Sequence, residues 1–296
     1  MTQSVHQSQL QIQEVMSIFQ KAGFTTNMEK SSLIPMQEVT FIWYLINTSK
    51  MMVYLPQEKI ILLRKEIQSL LDNCFPKIRQ VARVTGLIVS TFPAVYPDPL
   101  HYHFLEKEKT QALQLTQSYQ ANMKFSQLAI EELNWWMKNV EDCDGKPIQI
   151  QDPSVILTTD ASKRGWGAVL NGITTSGLWS AQEVHLHINI LELQAVYFAL
   201  LALGHSIHNQ HIHVQIDNKS AVAYINHMGG THSNAMDAIA KKIWSWALMR
   251  NNHISSVHIP GMENQQIFRQ FTRIRFPPQV DLFASRLNYQ LEKYVG

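Results

Sequence analysis

The chain has 296 residues, of which 45% are hydrophobic and 16% charged, and its formal net charge is +2. This length and apolar content suffice for one large or two ordinary domains with cores of their own, and they exclude a disordered chain. The only cysteines, Cys74 and Cys143, form no CxxC motif and no finger-like spacing with histidine, so neither a disulfide framework nor a structural zinc site is predicted.

The N-terminus, MTQSVHQSQLQIQ, lacks the basic and then apolar order of a signal peptide. No apolar run in the sequence reaches the ~18 residues of a membrane span. We therefore expect an intracellular protein, in the cytoplasm or the nucleus, that does not engage a membrane.

The first half of the chain is predicted to be mostly helical. The segment VTFIWYLINTSKMMVYLP predicts a hairpin around an Asn-Thr-Ser turn, and a helix opening at Pro56 follows it, because apolar residues then recur at helical spacing. Helices continue as far as NWWMKNV. The tryptophans of the helical segments are expected to be core residues rather than stacking platforms for bases. They are Trp135, Trp136, Trp244 and Trp246.

Residues 59–83 contain six basic and two acidic side chains, a local excess of positive charge. Such a cluster indicates either a solvated helix flank or a surface that binds nucleic acid, and charge alone does not separate the two. Four of these side chains are candidates for nucleic-acid binding: Arg64, Lys65, Lys77 and Arg79.

A composition change in EDCDGKPIQIQDPS predicts a domain boundary near residue 146. Beyond it the pattern predicts three consecutive strands, a helix, a fourth strand, two more helices and a fifth strand. This order predicts a mixed α/β layer fold. The predicted strands are 155–160, 166–171, 174–180, 211–217 and 254–259, and the predicted helices are 189–204, 219–227 and 233–250.

Three acids occupy matching places in this pattern. Asp160 ends the first of these strands and Asp217 ends the fourth, and the predicted sheet makes the two strands neighbours at a topological switch point. Glu192 lies near the start of the helix between them. Three clustered carboxylates favour a hard divalent metal, Mg²⁺ or Mn²⁺, and two such ions ~4 Å apart serve phosphodiester hydrolysis. Taken singly, Asp217 is also explained as a helix cap and Asp160 as a loop acid.

Ten of the thirteen histidines follow residue 184, and the pairs His185/His187 and His211/His213 are spaced to share a strand face. No cysteine or carboxylate nearby completes a tetrahedral set. We interpret these histidines as surface or core residues.

Four blocks together resemble the ribonuclease H domain of DIRS-type retroelement polyproteins. In chain order they are DASKRGWGAVL, WSAQEVHLHINILELQAV, IDNKSAVAYINHMGGTHS and VHIPGMEN. The resemblance implies a ribonuclease H-like five-stranded mixed sheet and a metal-dependent endonuclease that cuts the RNA strand of an RNA–DNA hybrid. It implies that Asp160, Glu192 and Asp217 are three of four catalytic metal ligands. It also implies nucleic-acid contacts near the acids, at Ser162, Lys163 and Asn218.

The upstream half resembles the end of a reverse transcriptase palm, its thumb and its connection segment. The resemblance implies that residues 1–146 are this C-terminal part of a reverse transcriptase. It also implies that residues 147–266 are the ribonuclease H-like domain and that residues 267–296 are a C-terminal extension. The paired aspartates that a polymerase needs are not found before residue 20, so no polymerase activity is expected of this fragment. Trp43 stands where the family has a turn glycine, which argues against close nucleic-acid approach there.

After HIPGMENQQ the family continues with an Ala-Asp segment that supplies the fourth carboxylate and opens the last helix. Here IFRQFTRIRFPPQVDLFASRLN follows Gln266 directly, so the fourth ligand and last helix are expected to be missing, unless Glu263 replaces the ligand. The prediction is therefore an impaired ribonuclease H with a weakly held second ion. The alternative is an inactive remnant that only binds nucleic acid. A transposase or integrase is disfavoured because those enzymes order their acids Asp, Asp, Glu.

Overall fold

The computed structural model of the chain describes residues 4–142, 145–261 and 263–264. The predicted extension 267–296 and the Gln266–Ile267 boundary lie outside these residues, as does Cys143. Cys74 is an exposed free thiol. None of the described helices is long and apolar enough to cross a membrane.

The second half of the chain forms a five-stranded mixed sheet with helices, which confirms the predicted fold class. Its strands lie in the order β7 (Ile173–Leu178), β6 (Gly165–Leu170), β5 (Val155–Ala161), β8 (His211–Ile216) and β9 (His253–His258). Strands β5, β6 and β7 pair antiparallel, whereas β8 runs parallel to both β5 and β9. The helices of this half are α6 (Ile188–Leu203), α7 (Lys219–Asn226) and α8 (Asn234–Leu248).

Local sequence explains how these strands reverse direction. The β6–β7 turn is Asn171-Gly172, and both residues have positive φ, 48° and 87°. This Asn-Gly pair suits a two-residue hairpin turn, because its backbone twist matches that of the strands. The parallel step from β5 to β8 instead needs a crossover, which α6 provides.

Helix α6 is apolar on nearly all sides because it packs on β5, β6 and α8 at once. Its buried side chains share a core with the inner faces of the strands and with Trp244 and Trp246. Trp136 is buried in a second core, and Trp135 is partly buried against it. The interpretation of these tryptophans as packing residues is therefore confirmed.

The second core lies in the first half of the chain and is mostly helical, as predicted. It includes Leu63, Ile67, Ile78, Leu105 and Leu133. Helix α1 precedes this core and has no buried residue. The elements are α1 (Val5–Lys21), β1 (Glu38–Phe41), β2 (Tyr44–Asn47), β3 (Met52–Tyr54), α2 (Gln57–Leu71), α3 (Ile78–Val89), α4 (His103–Thr116), α5 (Gln127–Asn139) and β4 (Lys146–Pro147).

The single predicted hairpin is wrong in one respect, because the segment forms three strands in a four-stranded sheet. The Asn-Thr-Ser segment does connect β2 to β3, but Ile42 and Trp43 form a further turn between β1 and β2. Both residues have positive φ, 45° and 67°, and are exposed. Positive φ is costly for a β-branched residue such as isoleucine, so propensity alone did not indicate this turn.

A buried polar network joins the two cores. On α8, Lys241 Nζ lies 3.2 Å from both Glu132 Oε1 and Asp237 Oδ2. His103 Nδ1 lies 3.1 Å from Asp237 Oδ1, and both side chains are almost fully buried. Burial alone would raise the pKa of Asp237, but His103, Lys241 and the Gly230 N–H together lower it. The network therefore fixes α4 and α5 against α8.

Replacing Lys241 with alanine should lower the free energy of unfolding by about 3 kcal/mol, because two buried carboxylates lose their cation. The estimate takes the low end of that range because the Lys241 side chain is 26% exposed. Urea unfolding followed by circular dichroism measures the change. Lys242→Ala, an exposed neighbour on the same helix, is the control and should cost less than about 0.5 kcal/mol. Equal losses in the two variants would contradict the role of the network.

Candidate active site

The three predicted acids meet at one edge of the five-stranded sheet. Asp160 lies near the end of β5, Asp217 directly follows the parallel strand β8, and Glu192 lies in the second turn of α6. Each offers one carboxylate oxygen within 4.8 Å of the other two. The parallel pairing of β5 and β8 therefore brings together residues that are far apart in sequence, as the strand order predicted.

The cluster is electrostatically unfavourable as it stands. Burial, followed by the charges of Asp217 and Asp160, raises the pKa of Glu192 to about 9, although the Ala161 N–H opposes the shift. Burial and the charge of Asp217 likewise raise the pKa of Asp160. These carboxylates gain stability either from a proton or from a cation.

The cluster fits a hard divalent cation. The ligand set consists of carboxylate oxygens alone, which Mg²⁺ and Mn²⁺ prefer. Glu192 is 3% exposed, and its Oε2 atom is buried without a hydrogen-bond partner. A buried unpaired carboxylate oxygen is costly unless a ligand satisfies it. These three acids could therefore bind a metal ion.

Hydrogen bonds between polar side chains fix the positions of the two elements that carry Glu192 and Asp217. Asn218 caps α7, and its Nδ2 atom donates to Asn189 Oδ1 at 2.9 Å. Asn189 Nδ2 in turn donates to Ser220 Oγ at 3.2 Å. These bonds join the start of α6 to the start of α7, next to Glu192 and Asp217. Sequence reasoning missed Asn189, although its position three residues before Glu192 places both on one helix face.

The segment after β9 closes against the same edge. Asn264 is fully buried, and its Nδ2 atom donates to the carbonyl of Thr159, the residue before Asp160. A Cβ atom at Gly261 would lie 3.3 Å from Asp217 Oδ2, so the backbone passes close to that acid. Glu263 is exposed, and the metal-compatible cluster found among the described residues does not include it.

The turn after Asp160 is engaged in its own hydrogen bonds. Ser162 Oγ accepts from the N–H groups of Arg164 and Gly165, and its carbonyl accepts from Trp179 Nε1. Lys163 Nζ donates to the Leu186 carbonyl at 2.5 Å. A Cβ atom at Gly165 would lie only 2.3 Å from the Gly177 carbonyl oxygen, so this glycine is needed for strand packing. The nucleic-acid contacts implied for Ser162 and Lys163 remain predictions.

The basic segment 59–83 is less uniformly exposed than its sequence indicates. Lys59 is buried and donates to the Ser90 carbonyl at 2.6 Å. Arg64 pairs with Glu141 at 2.6 Å. Lys65 on α2, and Lys77 and Arg79 at the start of α3, are exposed. Binding of nucleic acid by these side chains remains a prediction.

No protein-family model matches the sequence, and no curated protein matches it. Among solved structures, a foamy viral protease-reverse transcriptase in complex with double-stranded DNA has a TM-score of 0.39 and 17% identity, over 88% of this chain and 52% of that chain. A complex of such an enzyme with an RNA/DNA hybrid has a TM-score of 0.39 and 15% identity, over 87% and 34%. The chain thus spans 34% to 52% of the length of those chains. Likenesses this distant assign no activity.

The strand order itself defines the class of fold. An antiparallel three-stranded meander, continued on the side of its first strand by two parallel strands, is the ribonuclease H-like arrangement, and acids end its first and fourth strands. The second half of the chain therefore has a ribonuclease H-like fold with a carboxylate cluster that is compatible with metal.

Without metal, the protein should lose stability as the pH rises. Glu192 has an ordinary pKa of 4.5 and a folded pKa of about 9. The folded chain therefore keeps a proton that the unfolded chain releases between these values. That contribution is complete below pH 4.5 and declines up to about pH 9, by at most about 1.4 kcal/mol per pH unit. Urea unfolding in EDTA across this range measures it.

Glu192→Gln is the control, because glutamine has no proton to release. The difference in unfolding free energy between the wild type and this variant should fall with pH, and millimolar Mg²⁺ should reduce the slope. Parallel curves for the two proteins would contradict the raised pKa of Glu192.

Proposed function

We propose that this chain is a retroelement-derived ribonuclease H of the DIRS type that hydrolyses the RNA strand of RNA–DNA hybrids. The observation that carries the proposal is the convergence of Asp160, Glu192 and Asp217 within 4.8 Å, with a buried unpaired oxygen on Glu192. The four sequence blocks that resemble such enzymes contain these acids and surround them. Within the proposal, residues 1–146 are the end of a reverse transcriptase and 147–266 the nuclease domain.

Asp160, Glu192 and Asp217 would hold the divalent cations. When bound, the cations supply an activated water nucleophile and stabilise the negative charge that develops as the phosphorus–oxygen bond breaks. The Asn189–Asn218 hydrogen bond fixes the spacing between the helix that carries Glu192 and the strand end that carries Asp217. Burial of Glu192 keeps water away from its unpaired oxygen, which strengthens the attraction to a cation.

A labelled RNA–DNA hybrid incubated with the purified chain and Mg²⁺ or Mn²⁺ tests the proposal. Asp160→Asn should reduce cleavage at least a hundredfold, because the central carboxylate loses its charge. Asp152→Asn is the matched control, since Asp152 is an exposed acid shortly before the same strand. Cleavage that survives in Asp160→Asn, or that disappears equally in Asp152→Asn, would reject the assignment.

The fourth carboxylate, which the resemblance implies is missing, favours a second candidate function, a remnant that binds hybrids without cutting them. If cleavage is present, it should be slow and stronger with Mn²⁺, because the second ion lacks a ligand. Inserting Ala-Asp between Gln266 and Ile267 should then raise the rate at least tenfold in Mg²⁺, and inserting Ala-Asn should not. A wild-type rate equal to that of the Ala-Asp insertion would make Glu263 the first replacement ligand to test.

The exposed basic residues are proposed to bind the phosphates of the hybrid. Replacing Lys65, Lys77 and Arg79 with alanine should weaken binding and reduce its dependence on salt, because fewer counterions are released. Arg64→Ala should have a smaller effect, since Glu141 already pairs with Arg64. Fluorescence anisotropy with a hybrid at several salt concentrations measures both, and an unchanged salt dependence in the triple variant would refute the surface.

A further inference from the structure

A cavity of about 550 Å³ lies where the first half of the chain meets the far end of the five-stranded sheet. Tyr96 and Lys146 line it from the first half and from β4, and His211 and His253 line it from the first residues of β8 and β9. The acid cluster lies at the opposite ends of the strands. Six steps of β8 separate His211 from Asp217, which sets the two sites ~20 Å apart.

The cavity is lined by one lysine, two histidines and several amides, with apolar side chains such as Met52 and Ile150 beside them. None of the described residues that line it is acidic. Lys146 Nζ donates to the Phe92 carbonyl at 3.0 Å, and an ammonium group has two further N–H donors to offer. The pKa of His253 is lowered to about 4, mainly by burial and further by electrostatic repulsion from His211 and Lys146. This environment lacks a compensating negative charge.

The wall of the cavity is held in a fixed arrangement. His211 Nδ1 lies 2.7 Å from the Gln151 carbonyl, so Nδ1 carries the proton and Nε2 accepts from Ser255 Oγ at 2.7 Å. Ser255 Oγ in turn accepts from His213 Nδ1 at 2.9 Å. Residues with amide side chains also line the cavity, and amides can donate to phosphate oxygens or to the edge of a base. They include Gln149, Gln151, Asn209, Gln210 and Asn251.

We propose that this cavity is a second binding site, specific for a phosphate ester, apart from the carboxylate cluster. A phosphate there would receive donors from Lys146 and the surrounding amides and would supply the missing negative charge. The phosphate has two possible sources, a free mononucleotide or a nucleic-acid strand. A separation of ~20 Å corresponds to about six base pairs of duplex, so one duplex is long enough to reach both sites.

The test uses the full chain in EDTA, so binding is read without cleavage. AMP and inorganic phosphate are titrated while the His253 ring signal is followed by NMR, with His253→Gln to assign the signal. A bound phosphate should raise the pKa of His253. In a parallel arm, fluorescence anisotropy measures the affinity for a labelled RNA–DNA hybrid of twelve or more base pairs.

Lys146→Glu should weaken the binding of AMP or of the hybrid, whichever is the ligand of this cavity, at least fivefold. Lys124 is an exposed lysine outside the cavity, and Lys124→Glu should change the same affinity less than twofold. If Lys146→Glu does not fold, Asn251→Asp is the second variant. It adds a negative charge at the cavity, leaves the hydrogen bond from Lys146 to Phe92 in place, and should weaken the same binding. An effect only with AMP identifies a mononucleotide, and one only with the hybrid identifies a strand phosphate. Unchanged binding in both arms would overturn the proposal, and because no arm depends on cleavage, that result is distinct from failure of the proposed nuclease.

Discussion

The site depends on the parallel pairing of β5 with β8. In this pairing Thr158 lies opposite Gln215, which is 57 positions later in the sequence. Asp160 therefore lies close to Asp217, although the two are far apart along the chain. The crossover that parallel strands require is α6, and the same helix carries Glu192 to the strand ends. One topological step therefore builds both the sheet and the acid cluster.

The cluster opposes folding, and the rest of the molecule compensates for it. When all three are ionised, carboxylates held within 4.8 Å repel each other, and burial adds to the cost. The apolar core around α6 and the amide bonds of Asn189 and Asn218 hold the arrangement in place. Such stored repulsion is typical of functional sites, because a cation that relieves it binds more strongly. The ion pairs of Lys241 and Asp237 with Glu132 and His103 hold the helices of the first half against α8. The position of the basic helices relative to the acid cluster is therefore fixed.

The sequence predicted the mixed sheet, its strand order and the meeting of the three acids, because apolar alternation, turn residues and connection lengths are local signals. Residue propensity did not predict the Ile42–Trp43 turn, since neither residue favours positive φ, and only the resemblance to a family with a turn glycine at position 43 pointed to it. The sequence also placed Lys59 with the surface charges, whereas the structure buries it against Ser90. The network of His103, Glu132, Asp237 and Lys241 joins residues more than a hundred positions apart. Only tertiary packing shows such partners.

The hydrogen bond from Asn264 to the Thr159 carbonyl has a consequence for how the site evolves. It anchors the chain one residue away from the central acid, so any segment joined after Asn264 starts beside the cluster. A tethered group of this kind has a high effective concentration at the site and needs little intrinsic affinity to act there. Residues gained or lost at this junction would therefore reach the site without altering the described sheet, helices or cores.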